Sequence, residues 1–257
     1  MSTFTTEIAS DKIVSDNPIH QRLLKAYYVA QPMVSGTVLE PGCGEGRGIE
    51  LLAPQADQYL ALDKIQSVID ALKLKYDSVD FRQAVFPPFD GLVDNTFDTV
   101  ISFQVIEHIQ DDLLFLKEIH RVLKPGGKAI ITTPNIKMSL SRNPWHVREY
   151  TSAELKELAQ GIFSSVEMKG IAGNEKVMTY HEQNRKSVNK IMRFDIFDLQ
   201  HKLPAPILRF PYEILNRMNR NKLQTQDTGL VAEIHHSDYF LAEESDQNLD
   251  LFCILTK

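Results

Sequence analysis

The stretch that decides the fold is VLEPGCGEGRGIELLA, residues 38–53, in which a short apolar run leads into a glycine-rich turn and then into a helical pattern. Four of the chain's 12 glycines lie within seven residues of this stretch. Glycine lets a backbone adopt positive φ angles and approach a ligand closely, and the start of a helix presents free N–H groups. The stretch therefore predicts a strand, a ligand-binding loop and a helix.

Short, β-rich apolar runs alternate with helical patterns on both sides of this loop. The sequence predicts strands at 37–41, 59–63, 79–85, 97–103, 127–134, 163–171 and 249–256, and helices at 45–53, 64–76, 110–123 and from Thr151 onward. This alternation is typical of an α/β fold with a parallel, doubly wound sheet. Ligands of such sheets bind outside the carboxyl ends of the strands, where the glycine loop lies.

Composition sets the broad class of the protein. A chain of 257 residues that is 43% apolar can bury a full core. The formal net charge of −6 argues against a general nucleic-acid binder, which is usually basic on one face. The two cysteines, Cys43 and Cys253, form no disulfide framework, and neither a signal-peptide pattern nor an apolar run of membrane-spanning length occurs. We therefore expect a soluble, cytoplasmic protein.

The glycine spacing does not match the dinucleotide fingerprint G-x-G-x-x-G. In the three possible registers the last glycine is replaced by Arg47, Ile49 or Leu51. The pattern present is instead acidic-x-Gly-x-Gly-x-Gly, which begins at Glu40. This difference counts against a dinucleotide-binding loop.

The acidic-x-Gly-x-Gly-x-Gly pattern resembles motif I of the class I S-adenosylmethionine (SAM)-dependent methyltransferases. Three further segments resemble the family in the same order: YLALDKIQSVIDAL (59–72), NTFDTVISFQVIEHIQDD (95–112) and EIHRVLKPGGKAIITTPN (118–135). The ordered match covers about residues 36–135, and the segment NPWHVREYTSAEL resembles the small-molecule, type 11/23-like members. The resemblance implies a Rossmann-like, seven-stranded sheet whose last strand is antiparallel, with SAM as the cofactor.

The resemblance also implies a set of cofactor contacts. Glu40 and the glycine loop hold the amino-acid end of SAM, Asp63 binds the ribose, and Gln104 lies near the methionine part. The family often has an acidic residue near the adenine, where this chain offers only Gln83 and Ala84. The predicted cofactor-binding residues are Glu40, Gly42, Cys43, Gly44, Gly46, Asp63, Lys64, Gln83, Ala84, Gln104 and Tyr28. Tyr27 is the alternative to Tyr28, and core packing is the alternative role for both tyrosines.

Three residues are candidates for catalysis. Glu107 and His108 follow the fourth predicted strand, where they either face the substrate or satisfy the core. His146 follows the fifth strand and either lies at the surface or deprotonates an acceptor hydroxyl, since imidazole titrates near cellular pH. His235 and His236 have no metal-ligand spacing around them, so no metal site is predicted.

The sequence predicts one methyltransferase domain over residues 1–257, with a helical lead-in at 1–35 and a helical insertion at 174–247 before the last strand. Between positions 185 and 222 the insertion carries nine basic and three acidic residues. One interpretation is a pair of amphipathic helices that cap the active site with solvated basic faces. The other is a cap that meets an anionic or lipid-linked acceptor through peripheral membrane contact at 185–222.

The function predicted is SAM-dependent methyl transfer to a nucleophile, an oxygen by preference, on a small-molecule or glycan- or lipid-linked acceptor. Nucleic-acid methylation is disfavoured because SFQV (102–105) stands where such enzymes carry an N-P-P-Y-like tetrad. Two alternatives remain open at this point: an NAD(P)-dependent oxidoreductase and a non-catalytic SAM-binding interaction module. The sequence does not predict the oligomeric state.

Overall fold

One mixed β-sheet forms the centre of the protein in a computed structural model that describes residues 12–195 and 198–257. Within these ranges the strands are β1 Thr37–Pro41, β2 Gln58–Asp63, β3 Asp80–Gln83, β4 Phe97–Phe103, β5 Leu123–Pro134, β6 Ser165–Gly173, β7 Tyr239–Glu243 and β8 Asp250–Thr256. The α-helices are α1 Asn17–Ala30, α2 Ile49–Leu52, α3 Gln66–Lys75, α4 Asp112–Val122, α5 Ser152–Gln160, α6 Glu175–Met192, α7 Leu199–Lys202, α8 Ala205–Gln226 and α9 Thr228–Glu233.

The strand order is β3-β2-β1-β4-β5-β8-β6-β7. Strands β1 to β5 are parallel, β8 lies antiparallel between β5 and β6, and β7 lies antiparallel on the outer side of β6. The chain reverses its direction across the sheet between β1 and β4, which is the switch point where ligands of doubly wound sheets bind. The α/β, Rossmann-like fold class is confirmed.

The sheet has eight strands instead of the seven expected. The additional strand, β7, lies within the range 174–247 that was predicted as a helical insertion. It is a five-residue edge strand in which only Tyr239 is fully buried, so its sequence lacks the apolar alternation of the inner strands. The helix predicted at 45–53 is only the four-residue α2, because positive φ angles at Gly42, Gly44 and Gly46 keep the preceding residues in a turn.

Apolar side chains alternate between the two faces of the sheet, and each face is covered by helices. In β1, Val38 belongs to the cluster with α1, α2 and α3, whereas Leu39 belongs to the cluster with α4 and α5. This alternation follows from the two-residue period of a strand. Packing on both faces of the sheet fixes the carboxyl ends of β1, β2 and β4 side by side.

The segment 174–247 forms α6 to α9 and β7. Its longest helix, α8, is fixed to the amino-terminal segment by the buried carboxylate of Asp16, which pairs with Arg217 at 2.7 Å and with Arg220 at 2.9 Å. Among the described helices, none combines the length and the apolar character needed to cross a bilayer. Residues 1–11 of the predicted lead-in, and positions 196 and 197 of the insertion, lie outside the described residues.

Candidate active site

The glycine loop after β1 is tied to the end of β2. The N–H groups of Gly42 and Cys43 both donate to the carbonyl oxygen of Leu62, at 2.7 and 3.0 Å. A side chain at Gly42 would collide with Val105, whereas a side chain at Gly44 would point into open space. The backbone at Gly44 is therefore the part of the loop that a ligand can approach.

Asp63, at the end of β2, faces this loop and is 8% exposed. Its Oδ2 accepts a hydrogen bond from the N–H of Gly44 at 3.0 Å, and its Oδ1 accepts one from the N–H of Ile65 at 2.9 Å. A carboxylate has about four acceptor positions. The fixed carboxylate of Asp63 can therefore accept further hydrogen bonds from a ligand's hydroxyl groups.

The residues at the end of β3 lie beside Asp63 and Lys64. The side-chain Nε2 of Gln83 donates to the carbonyl oxygen of Lys64 at 3.2 Å, and the N–H of Ala84 donates to the carbonyl oxygen of Asp63 at 2.9 Å. The structure thus brings Asp63, Lys64, Gln83 and Ala84 together beside the glycine loop, as the sequence suggested.

Glu40 lies beneath the loop and is 1% exposed. The hydroxyl of Tyr27 donates to its Oε1 at 2.9 Å and the hydroxyl of Tyr59 donates to its Oε2 at 2.8 Å. Burial raises the pKa of Glu40 to about 7, although both tyrosine hydrogen bonds act to lower it. Glu40 thus joins Tyr27, on the helix beside the glycine loop, to Tyr59 of β2.

The two adjacent tyrosines of α1 have different surroundings. Tyr27 packs edge-to-face on Phe103 at 4.8 Å and fills the space beside Gly48. Tyr28, the residue predicted to close over SAM, instead stacks on the ring of His236 at 4.0 Å. Tyr27 is thus the tyrosine next to the glycine loop, and sequence reasoning missed its bond to Glu40.

The predicted cofactor residue Cys43 contributes to the loop through its backbone. Its thiol is buried, and burial together with the nearby Glu40 and Asp63 raises its pKa far above the ordinary value. A thiol in that state is not a nucleophile at neutral pH. The side chain of Cys43 is therefore a packing group.

Gln104 follows β4 and has a positive φ of 58°. Its backbone N–H donates to the carbonyl oxygen of Thr132 at 2.8 Å, and its Nε2 donates to the Thr132 hydroxyl at 3.3 Å. A residue other than glycine in the left-handed region costs on the order of 1 kcal/mol, and such strain is often found at functional sites. Gln104 also lines a cavity that extends away from the glycine loop.

This cavity has a volume of about 250 Å³ and lies between α1, the loop after β5, α6 and α8. Most of its lining side chains can form hydrogen bonds. They are Arg22, Gln104, Glu107, His108, Asn135, Ser139, Ser141, Asn143, His146, Glu149, Tyr180, His181, Asn184, Tyr212, Asn216, Arg220 and Tyr239. The wall suits a ligand that carries several hydrogen-bonding groups.

His146 lies in the cavity wall within a chain of hydrogen bonds. Its Nδ1 is 2.7 Å from Oε1 of Glu149, and its Nε2 is 2.8 Å from Nδ2 of Asn143. The N–H of Trp145 donates to Oδ1 of Asn143 at 3.1 Å, which turns the amide's NH₂ toward His146. The network therefore assigns the Nδ1–H tautomer to neutral His146, with the lone pair on Nε2.

Glu149 is the acidic partner of this histidine. Burial alone would raise the pKa of Glu149, but hydrogen bonds from His146 and Ser139 outweigh it and hold the pKa below its ordinary value. The carboxylate therefore stays charged at neutral pH and stabilises a proton on His146. Sequence reasoning missed Glu149, although its spacing three residues after His146 was a usable signal.

Glu107 and His108 lie beside His146. The rings of His108 and His146 meet edge-to-face at 4.9 Å, and Nδ1 of His108 is 2.9 Å from the carbonyl oxygen of Trp145. Burial and the neighbouring His146 lower the pKa of His108 to about 4, so this ring is neutral. Burial raises the pKa of Glu107 to about 7, and its Oε2 accepts a hydrogen bond from Thr133 at 2.9 Å.

These three residues also include donor types that bind divalent metals, and their potential ligand atoms lie within 4.8 Å of one another. However, both ring nitrogens of His146 and Nδ1 of His108 already have protein partners. A metal or a ligand hydroxyl that binds Nε2 of His146 would take the place of Asn143, while Glu149 stays bound to Nδ1.

The known proteins that this chain resembles in sequence are methyltransferases. A family described as a methyltransferase domain matches residues 39–131. A probable S-adenosylmethionine-dependent methyltransferase of Mycobacterium tuberculosis is 31% identical over 226 residues, which cover 86% of this chain and 76% of that protein. A probable S-adenosylmethionine-dependent methyltransferase of Mycolicibacterium smegmatis is 41% identical over 128 residues, which cover 48% of this chain and about half, 49%, of that protein.

A solved structure shares the fold over nearly the whole chain. It is a SAM-dependent methyltransferase of Thermotoga maritima, described as a possible histamine N-methyltransferase. The match has a TM-score of 0.60 at 15% identity and covers 95% of this chain and 91% of that one. At this identity the likeness shows the fold and carries no information on the acceptor.

Proposed function

The chain belongs to the SAM-dependent methyltransferases, and from that premise we propose that it methylates a hydroxyl oxygen of a small-molecule or glycan-like acceptor. The acceptor binds in the cavity beside Gln104. The observation that carries the proposal is the 2.7 Å pair of His146 and Glu149 in the wall of that cavity. A hydroxyl must lose its proton when it is methylated, and a histidine backed by a carboxylate can take it.

SAM is the cofactor of this family, and the residues beside the glycine loop suit it. In the proposal, Asp63 accepts hydrogen bonds from the ribose hydroxyls, and the backbone at Gly44 faces the amino-acid end. The side-chain carbonyl of Gln83 or the backbone at Ala84 accepts a hydrogen bond from the adenine amino group, and Gln104 lies next to the methionine part. When bound, SAM supplies a methyl group already activated on a sulfonium.

The hydrogen bonds of the catalytic candidates support the following roles. Nε2 of His146 takes the hydroxyl proton as the new carbon–oxygen bond forms and the methyl–sulfur bond breaks, and the proton later passes to solvent. The acceptor hydroxyl replaces Asn143 at Nε2, while Glu149 stabilises the imidazolium at Nδ1. Glu107 and the neutral His108 are positioning residues. His108 contacts the carbonyl oxygen of Trp145, and the carbonyl oxygen of Glu107 accepts a hydrogen bond from the N–H of Val147, so both hold the loop that carries His146.

The cavity wall favours a hydroxyl-rich acceptor. Amide side chains such as Asn184 and Asn216 and phenol groups such as Tyr180 and Tyr212 face it. Buried hydrogen-bonding groups are costly to leave unpaired, so a purely apolar acceptor would bind poorly.

The family assignment decides against the NAD(P)-dependent oxidoreductase. We also propose that residues 1–257 act as one domain with a lead-in at 1–35 and a cap at 174–247.

The experiment has two stages. Calorimetry with S-adenosylhomocysteine tests the cofactor site in the wild type and in Asp63→Ala. Transfer of labelled methyl from SAM is then measured over a panel of sugars, polyols, phenols, amines and carboxylic acids, with wild type, His146→Ala and the matched control His120→Gln. His120 lies on α4, where its ring packs on Phe163.

We expect turnover of hydroxylated acceptors that falls by about two orders of magnitude in His146→Ala, the scale of general base catalysis, and not in His120→Gln. Labelling confined to amines or carboxylic acids, or equal turnover in His146→Ala, would contradict the proposed acceptor chemistry. Binding of S-adenosylhomocysteine without turnover of any class would favour the non-catalytic module instead.

A further inference from the structure

Helix α8 exposes a stripe of large apolar side chains. Ile207, Phe210, Ile214 and Met218 are 59%, 74%, 44% and 62% exposed. They lie at positions i, i+3, i+7 and i+11, which places them along one side of the helix over about 16 Å. We call these four residues the α8 stripe.

The opposite side of α8 faces the protein and is mostly polar, with Leu223 as its buried apolar residue. Tyr212 and Asn216 line the cavity together with Arg220, and Arg220 pairs with the buried Asp16. A surface helix of a globular protein normally turns its apolar side to the core. Here the polar side faces inward and the apolar side faces outward, so folding of the chain leaves the α8 stripe uncovered.

Exposed basic residues lie on α8 and on the neighbouring α6. Lys190 and Arg193 at the end of α6, which packs against α8, and Lys222 on α8 itself are all exposed. The stretch 185–222 carries nine basic against three acidic residues in a chain whose formal net charge is −6. Four of the nine are paired with carboxylates: Arg185 and Lys186 with Glu182, and Arg217 and Arg220 with Asp16. Phe194, beside Arg193, is 86% exposed and adds a further large apolar side chain.

We propose that the α8 stripe docks on an anionic lipid bilayer, with α8 in the plane of the interface. Apolar side chains on one side of a helix, flanked by lysine and arginine, are the features of interfacial helices that bind anionic membranes. The charge also argues against a second copy as the occupant. A symmetric dimer through this face would bring the two basic clusters together, which is unfavourable.

Docking goes beyond the proposed function and does not depend on it. The two are nevertheless joined by α8, because one side of this helix lines the cavity and the other contacts the bilayer. If both proposals hold, the cavity lies close to the lipid headgroups, where an acceptor with an apolar anchor would be available.

The test is sedimentation of the full chain with phosphatidylcholine vesicles, with and without 30% phosphatidylglycerol (roughly the anionic content such binding needs). The stripe variant Phe210→Ser/Met218→Ser is compared with Leu74→Ser/Val93→Ser, a matched control whose residues are 90% and 72% exposed outside α8. A charge variant, Lys190→Glu/Arg193→Glu/Lys222→Glu, tests the basic cluster. Circular dichroism and S-adenosylhomocysteine binding check that each variant is folded.

We expect the wild type and the control to bind anionic vesicles, and the stripe and charge variants to bind at least about tenfold more weakly, with binding that decreases as salt increases. A wild type that stays in the supernatant, or a stripe variant that binds equally well, would overturn the proposal. So would a dimer in light scattering that the stripe variant abolishes, because the face would then join two copies. A wild type that binds vesicles but not S-adenosylhomocysteine would count against the proposed function alone.

Discussion

Gly44 and Asp63 are joined by a hydrogen bond of 3.0 Å from the backbone N–H of Gly44 to Oδ2 of Asp63. The bond connects the loop after β1 to the end of β2, so two parts of the cofactor site that are far apart in the sequence are held in a fixed relation. The same carboxylate caps the turn at Ile65. A change at Asp63 therefore affects both the ligand contact and the loop that presents it.

The first prediction concerns Asp63. Asp63→Ala should weaken the binding of S-adenosylhomocysteine by about 1–3 kcal/mol, the cost of leaving hydrogen bonds of a charged group unmade, or roughly one to two orders of magnitude in Kd. Calorimetry measures the change, with the exposed Asp77→Ala as the control. Equal affinity in Asp63→Ala and wild type would show that Asp63 does not touch the ribose.

The second prediction separates two glycines of the loop. Alanine at Gly44 or Gly46 should cost about 1–2 kcal/mol for a left-handed conformation. At Gly46 the new Cβ would also lie 2.6 Å from Leu72, whereas at Gly44 it meets open space. Gly46→Ala should therefore have the lower Tm, whereas Gly44→Ala should lose more affinity for S-adenosylhomocysteine than its Tm suggests.

Thermal melting with and without S-adenosylhomocysteine distinguishes the two effects. The reverse order of Tm would mean that Leu72 gives way to a side chain at position 46. A Gly44→Ala variant with unchanged ligand affinity would mean that the ligand does not approach the backbone at Gly44.

The alternation of strands and helices and the glycine loop could be predicted because both depend on local patterns. The apolar runs and the helical spacing predicted the doubly wound sheet, and Asp63 could be identified because the family that the sequence resembles carries an acidic residue at the end of this strand. The edge strand β7 could not, because an edge strand needs only one buried side and its five residues carry little apolar signal.

The hydrogen-bond networks depend on contacts that no local pattern encodes. Tyr59 donates to Glu40 because β1 and β2 pair in a register that places Val38 next to Tyr59, and so Tyr59 on the same side of the sheet as Glu40. The insertion's charge was visible in the sequence, but the outward side of α8 was not. That orientation is set by the pairing of Asp16 with Arg217 and Arg220.

The third prediction concerns Glu149. Glu149→Gln removes the carboxylate that stabilises a proton on His146, so kcat should fall by about one to two orders of magnitude, within the range of general base catalysis. Binding of S-adenosylhomocysteine should be unchanged, since Glu149 lies in the acceptor cavity.

Steady-state kinetics of the wild type, Glu149→Gln, His146→Ala and the double variant test this prediction. A Glu149→Gln change that lowers kcat equally in the wild type and in His146→Ala would assign Glu149 a purely structural role, and an unchanged kcat in Glu149→Gln would remove the pair from the mechanism.

The last prediction uses Glu40 and Glu107, whose pKa values burial raises from 4.5 to about 7. Between about pH 4.5 and 7 the folded protein holds protons that these carboxyl groups have already released in the unfolded chain. Their contribution to the free energy of unfolding therefore decreases as the pH rises through this window. One pKa unit corresponds to about 1.4 kcal/mol, so each group contributes a change of a few kcal/mol.

Glu40→Gln and Glu107→Gln stay neutral and should remove this pH dependence, each for its own group. Glutamine at position 40 can still pair with Tyr27 and Tyr59, because a tyrosine hydroxyl both donates and accepts. Urea unfolding at pH 5 and pH 7.5 (roughly the two sides of the window) gives the free energy of unfolding for each variant, with the exposed Glu157→Gln as the control. The stability of each buried variant relative to wild type should increase with pH. A difference that is the same at both pH values would mean that these carboxyl groups are ionised across the window, and that burial does not keep Glu40 protonated beneath the glycine loop.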